Sequence, residues 1–90
     1  MITAESDHFL IGFAKSLYPQ SALEHVVPLF AGGAEIEIHN DVTYPYYTVK
    51  LIPVESALAE IEGSDPGRHL CYLFVNHALA AAREYSMQDG

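Results

Sequence analysis

Cys71 is the only thiol in the chain, and two imidazoles, His69 and His77, lie close to it in sequence. A thiol within reach of a base is the minimum constellation for nucleophilic catalysis. The spacing works against it here, because residues two apart diverge on a helix. The setting Leu70-Cys71-Tyr72-Leu73-Phe74 is also apolar, whereas a reactive thiolate needs a partly exposed, electropositive one. Cys71 is therefore expected to be a buried structural thiol, and a small enzyme or ligand binder using Cys71, His69 and His77 is the catalytic alternative. Five histidines raise the question of metal. His8, His25, His39, His69 and His77 include no i, i+4 pair, no second cysteine joins them, and no HExxH occurs, so no metal ligation and no cofactor is expected. Gly32-Gly33 precedes a strand pattern rather than a helix start, which is the wrong place for a phosphate cradle.

The carboxylates are more informative than the nucleophile. Residues 35–65 hold Glu35, Glu37, Asp41, Glu55, Glu60, Glu62 and Asp65 against Lys50 alone, which gives −6 of a chain total of −8. Such a field repels nucleic acid and anionic membrane and attracts basic protein surfaces. It also falls within the range ordinary for a soluble small domain. Tyrosine stacking on single-stranded nucleic acid needs a positive groove, and four basic residues cannot line one, so direct nucleic-acid binding is not expected. No segment approaches the roughly 20 apolar residues that span a bilayer, and a single cysteine fits a reducing compartment. The expectation is a cytoplasmic protein with no membrane contact. At 90 residues and 50% apolar composition the chain makes one domain with one core and leaves apolar surface to cover, so a homodimer is an alternative assembly.

These residues must be placed by secondary structure. Phe9, Leu10, Phe13, Ala14 and Leu17 recur at helical spacing behind Thr3 as an N-cap, which predicts a helix over about 3–18, closed by Tyr18-Pro19. Leu23, Val26, Val27 and Phe30 predict a second helix over about 20–31, kinked or shortened by Pro28 and ended by Gly32-Gly33. The period then changes to two. Glu35-Ile36-Glu37-Ile38-His39 and Tyr46-Tyr47-Thr48-Val49-Lys50-Leu51 alternate polar with apolar, predicting an antiparallel hairpin over about 34–40 and 46–52 about an Asn40-Asp41 turn. In that register Glu35, Glu37, His39, Tyr46, Thr48 and Lys50 share one face. Val54, Leu58 and Ile61 predict a short acidic helix over about 54–62. Asp65-Pro66 is a strong helix start, predicting a helix over about 66–86 that is buried on all but a narrow stripe of His69, Tyr72, Asn76 and Arg83. A strand over 70–75 is the competing reading.

The fold expected is α+β, with helices packed on an antiparallel hairpin. Tyr44 and Tyr46 stand out as recognition residues, because tyrosine joins large contact area to a polar tip and strand alternation sends Tyr47, not Tyr46, inward. The function expected is non-catalytic protein contact through Glu35, Glu37, His39, Asp41, Tyr44, Tyr46, Glu55, Glu60 and Glu62, covering a basic surface of a partner of the kind that otherwise binds nucleic acid. In size and charge the chain resembles small acidic inhibitors of the phage anti-defence, anti-CRISPR and toxin-immunity kind, a likeness of class that no residue motif carries. A self-associating structural or regulatory subunit is the alternative.

Overall fold

The alternation over residues 34–53 folds as the hairpin it predicts. In the computed structural model, which describes residues 2–60, 63 and 65–89, β3 (Ala34–His39) pairs antiparallel with β4 (Tyr46–Pro53). The register runs from Ala34 opposite Pro53 to His39 opposite Thr48. Preceding them are β1 (Ile2–Ala4), β2 (Phe9–Ala14), α1 (Gln20–Val26) and a 3₁₀ turn (Val27–Phe30). Following them are α2 (Glu55–Glu60) and α3 (Pro66–Asp89). The four strands form one antiparallel sheet in the order β1-β2-β4-β3, and the architecture is α+β. Each half of the chain supplies a hairpin and then helix, and the second strand of each hairpin lies at the sheet's centre.

Residues 3–18 are not the helix that their spacing predicts. Phe9, Ile11 and Phe13 alternate as well as Phe9 and Phe13 recur at i, i+4, and Ile11 separates the two patterns. It falls off the helical stripe, yet it is 1% exposed at the middle of β2. Gly12 also disfavours a helix interior, by about 1 kcal/mol relative to alanine. Long-range pairing then decides, because β2 satisfies its backbone groups along β4 from Phe9 opposite Leu51 to Ala14 opposite Tyr46. Thr3 caps no helix and sits in β1 opposite Leu10.

The second expected helix divides at Pro28. Lacking an N–H, Pro28 cannot continue the α-helical ladder, and the chain tightens into the 3₁₀ turn. Ile61 and Glu62 of the expected helix 54–62 lie outside the described residues. The Asp65-Pro66 start behaves as its chemistry requires, with the Arg68 N–H donating to Asp65 Oδ1 at 3.1 Å. Residues 70–75 are helical, not a strand.

One core lies between the sheet and the helices. Ile11, Phe13, Val49 and Leu51 meet Ala22, Leu23 and Val26 of α1 and Leu70, Cys71, Phe74 and Ala78 of α3. Phe74 is the hinge of the aromatic packing, 5.8 Å from the Phe13 ring and 5.4 Å from that of Phe30. The broad burial expected of α3 is corrected. Leu73 and Leu79 are 37% and 41% exposed, because α3 packs inward on the sheet and α1 and no described element covers its outer side.

Candidate functional site

A single layer of helices covers one face of the sheet, and no described element covers the other. Strand alternation sends Thr3, Leu10, Gly12, Tyr46, Thr48, Lys50, Glu35, Glu37 and His39 to that open face. The pairings arrange them in rows across the strands. Thr3, Leu10, Lys50 and Glu37 form one row, and Gly12, Thr48 and His39 form the next. Four of the residues singled out from sequence, Glu35, Glu37, His39 and Tyr46, thus share one surface, and all four are exposed.

The β3–β4 loop is built by Asp41. Its Oδ1 accepts the Thr43 N–H at 3.0 Å and the Thr43 hydroxyl at 2.8 Å, and its carbonyl accepts the Tyr44 N–H at 3.0 Å. Those two Thr43 donors, backbone first, hold the Asp41 carboxyl below the usual aspartate range. Lys15 ties the loop to the end of β2. Its Nζ donates to the Asp41 carbonyl at 2.6 Å, and its backbone N–H donates to Pro45 at 3.0 Å. The same ammonium lies 5.3 Å from the centroid of the Tyr47 ring, which turns toward the core as alternation requires. Asp41 therefore acts on this face by positioning Tyr44.

Tyr44 and Tyr46 stand at the loop end of the open face, 51% and 44% exposed, with ring centroids 5.6 Å apart. They form one wall of an open concavity of about 490 Å³ whose lining includes Thr3, Leu10, Gly12 and Thr48. Gly12 makes the depression. A Cβ built there meets nothing within 4 Å, and its backbone conformation is one that any residue adopts, so neither packing nor strain calls for glycine. Strand glycines weaken the sheet and often mark a bulge, a bend or a place where a ligand or another backbone approaches closely; the β2–β4 register runs through Gly12 without a bulge. Thr3, Leu10 and Gly12 were beyond reach of the sequence reading because a helix over 3–18 turns Gly12 to the side opposite Thr3 and Leu10 and sets none of them beside β4. The usable signal was an isolated glycine inside an alternating Phe-Leu-Ile-Gly-Phe run.

The charges on this face are partly offset. Lys50 sits directly across from Glu37, and His39 Nε2 lies 3.7 Å from Glu37 Oε2. Asp7, in the β1–β2 loop, is held low by its hydrogen bond with His8 (2.6 Å), with a smaller contribution from Lys50. Glu35 pairs with Ile52 and meets no cation across that pair. Glu55 and Glu60 are exposed on α2, which belongs to the helical layer, so they flank the open face rather than line it. Glu62 lies outside the described residues.

Burial separates the thiol from the two imidazoles near it in sequence. Cys71 is fully buried, and burial pushes its pKa up to about 11, whereas His69 and His77 are exposed. His77 instead meets the Phe30 ring edge-on at 5.7 Å. Among the described residues no group of three or more His, Cys, Asp or Glu is placed to hold a metal ion. No helix among them is long and apolar enough to cross a membrane. Compared with family models, with curated proteins and with solved structures, the chain matches none.

Proposed function

We propose that this chain is a non-catalytic binding domain that covers a basic surface of a partner protein with the open face of its sheet, acting as an inhibitor or decoy of the anti-defence or immunity kind. One observation carries the reading. The uncovered face combines an exposed tyrosine pair, a glycine depression beside it and the carboxylates Glu35 and Glu37. Exposed tyrosines at the rim of a depression supply the anchors on which binding energy concentrates, and the flanking acids select cationic partners and speed their approach. The chain's −8 net charge favours the same partners. The lone thiol supports the cytoplasm as the place of action.

The test is affinity capture from the native host with wild type, Gly12→Val and Tyr46→Ala in parallel. A Cβ at Gly12 meets nothing within 4 Å, so Gly12→Val fills the depression from an open position, and Tyr46→Ala trims an exposed ring; both variants should keep the wild-type circular dichroism, with a melting temperature in Gly12→Val at or above that of wild type. A basic protein retained by wild type and lost from both variants supports the reading. Recovery of the same proteins by all three would remove the open face from the function.

Self-association is the second reading, favoured by the exposed Leu73 and Leu79 on the outer side of α3. It needs no foreign partner and leaves the sheet face free.

A further inference from the structure

We infer that the free edge of β3 accepts an extended strand from the basic partner, and that this strand alternates basic with apolar residues. The inference rests on the reading of a basic partner and adds where and in what conformation that partner is held. β3 lies at the end of the strand order and is six residues long, against three for β1 at the other end.

The direction of its backbone groups follows from one proline. Pro53 has no N–H, so its pair with Ala34 exchanges no hydrogen bonds, while the next position does, with the Val54 N–H donating to Gly33 at 2.9 Å. Strand geometry repeats every two residues. The odd positions of β3 therefore bond to β4, and the N–H and C=O groups of Ala34, Ile36 and Ile38 face outward along the edge. Among the described residues no backbone hydrogen bond outside the helices and sheet engages them. Such a row is a template for another strand.

Side chains specify which strand. Glu35 and Glu37 stand on the open face, and Glu35 meets no cation across its pair in the sheet. Ile36 and Ile38 stand on the helical face and are only half-buried, since no described strand lies beyond β3. An incoming strand gains most by placing lysine or arginine opposite each glutamate and an apolar residue opposite each isoleucine. A slip of one residue reverses that match, which fixes the register to steps of two. A second copy of this chain fits poorly. Antiparallel pairing of β3 with itself sets Glu35 against Glu37, or Glu37 against Glu37, between two molecules each carrying −8.

The probe is the capped peptide Lys-Val-Lys-Val-Lys-Val, titrated into the ¹⁵N-labelled protein at low salt. In the inferred register its valines lie opposite Ile36 and Ile38 and exchange both hydrogen bonds with them. Binding should shift the amides of Ile36 and Ile38 and slow their exchange with solvent. The same peptide N-methylated at its valines keeps every charge and should bind about tenfold more weakly or worse. E35Q/E37Q, altering exposed side chains only, should weaken the plain peptide without moving the melting curve. Equal binding of the two peptides overturns strand addition and leaves the basic-partner reading standing. If neither peptide binds, both readings are overturned. Equal binding of a Glu-Val peptide, or Ile36 amides already protected by self-pairing, overturns the charge argument.

Discussion

The clearest stability consequences sit in Cys71. It is fully buried between α3 and the sheet, and its thiol is held protonated up to a pH of about 11 by the loss of water around it. An unfolded chain ionises the same thiol near its ordinary value of 9.0. Between these values the unfolded state binds fewer protons, so stability present below about pH 9 is lost as pH rises towards 11. Urea midpoints should fall over that window in wild type, and the component due to the thiol should be missing in Cys71→Ala. Cys71→Ser buries a hydroxyl in an apolar site and should cost about 1–3 kcal/mol. A disulfide-exchange reagent at pH 8 should label the native protein only at the rate of its opening. Fast stoichiometric labelling would place the thiol at the surface and favour a catalytic role for it. This residue was legible from sequence because its neighbours are all apolar or aromatic. Gly12 was not, because a glycine means a gap only when the strand and face that hold it are known.

At the scale of elements, legibility followed the locality of the deciding interaction. The β3–β4 hairpin and the Asp65 cap are specified by residues a few positions apart, and both formed where their chemistry put them. β2 was misread because its pattern satisfies two periods, and the choice is made by β4, 38 positions away by the Ile11–Val49 pairing. A second long-range constraint fixes how α3 meets β2. A Cβ on Gly67 falls 2.7 Å from Phe9 Cε2, so the absence of a side chain there sets the approach of the helix start to the strand start. Gly67→Ala gains helix propensity of up to about 1 kcal/mol but must displace the Phe9 ring from the edge of the core. The net change should be destabilising by about 1–3 kcal/mol, in the range of overpacked cores. Phe9→Leu in the same background should recover part of it. A Gly67→Ala variant with an unchanged or raised melting temperature would mean that the ring yields freely and that this contact does not position α3.

For the whole molecule the decisive quantity is the sign of the salt dependence, because the two readings of its assembly oppose each other there. The chain carries −8, and two copies repel. If the exposed Leu73 and Leu79 bring copies together, added salt screens that repulsion and strengthens the dimer, since burial of leucine is not itself weakened by screening. If the open face and β3 edge serve a basic partner, added salt weakens the complex and slows its formation. Light scattering across a salt series measures the first, against a monomer of 9.9 kDa. Association kinetics with the Lys-Val peptide over the same series measure the second. The expected outcome is a monomer throughout, with a peptide on-rate that falls as salt rises and falls less steeply in Glu35→Lys/Glu37→Lys, which moves the net charge from −8 to −4. A mass that climbs towards twice the monomer with salt, together with a peptide on-rate indifferent to it, would transfer the function to the outer side of α3. The acidic face would then serve solubility alone.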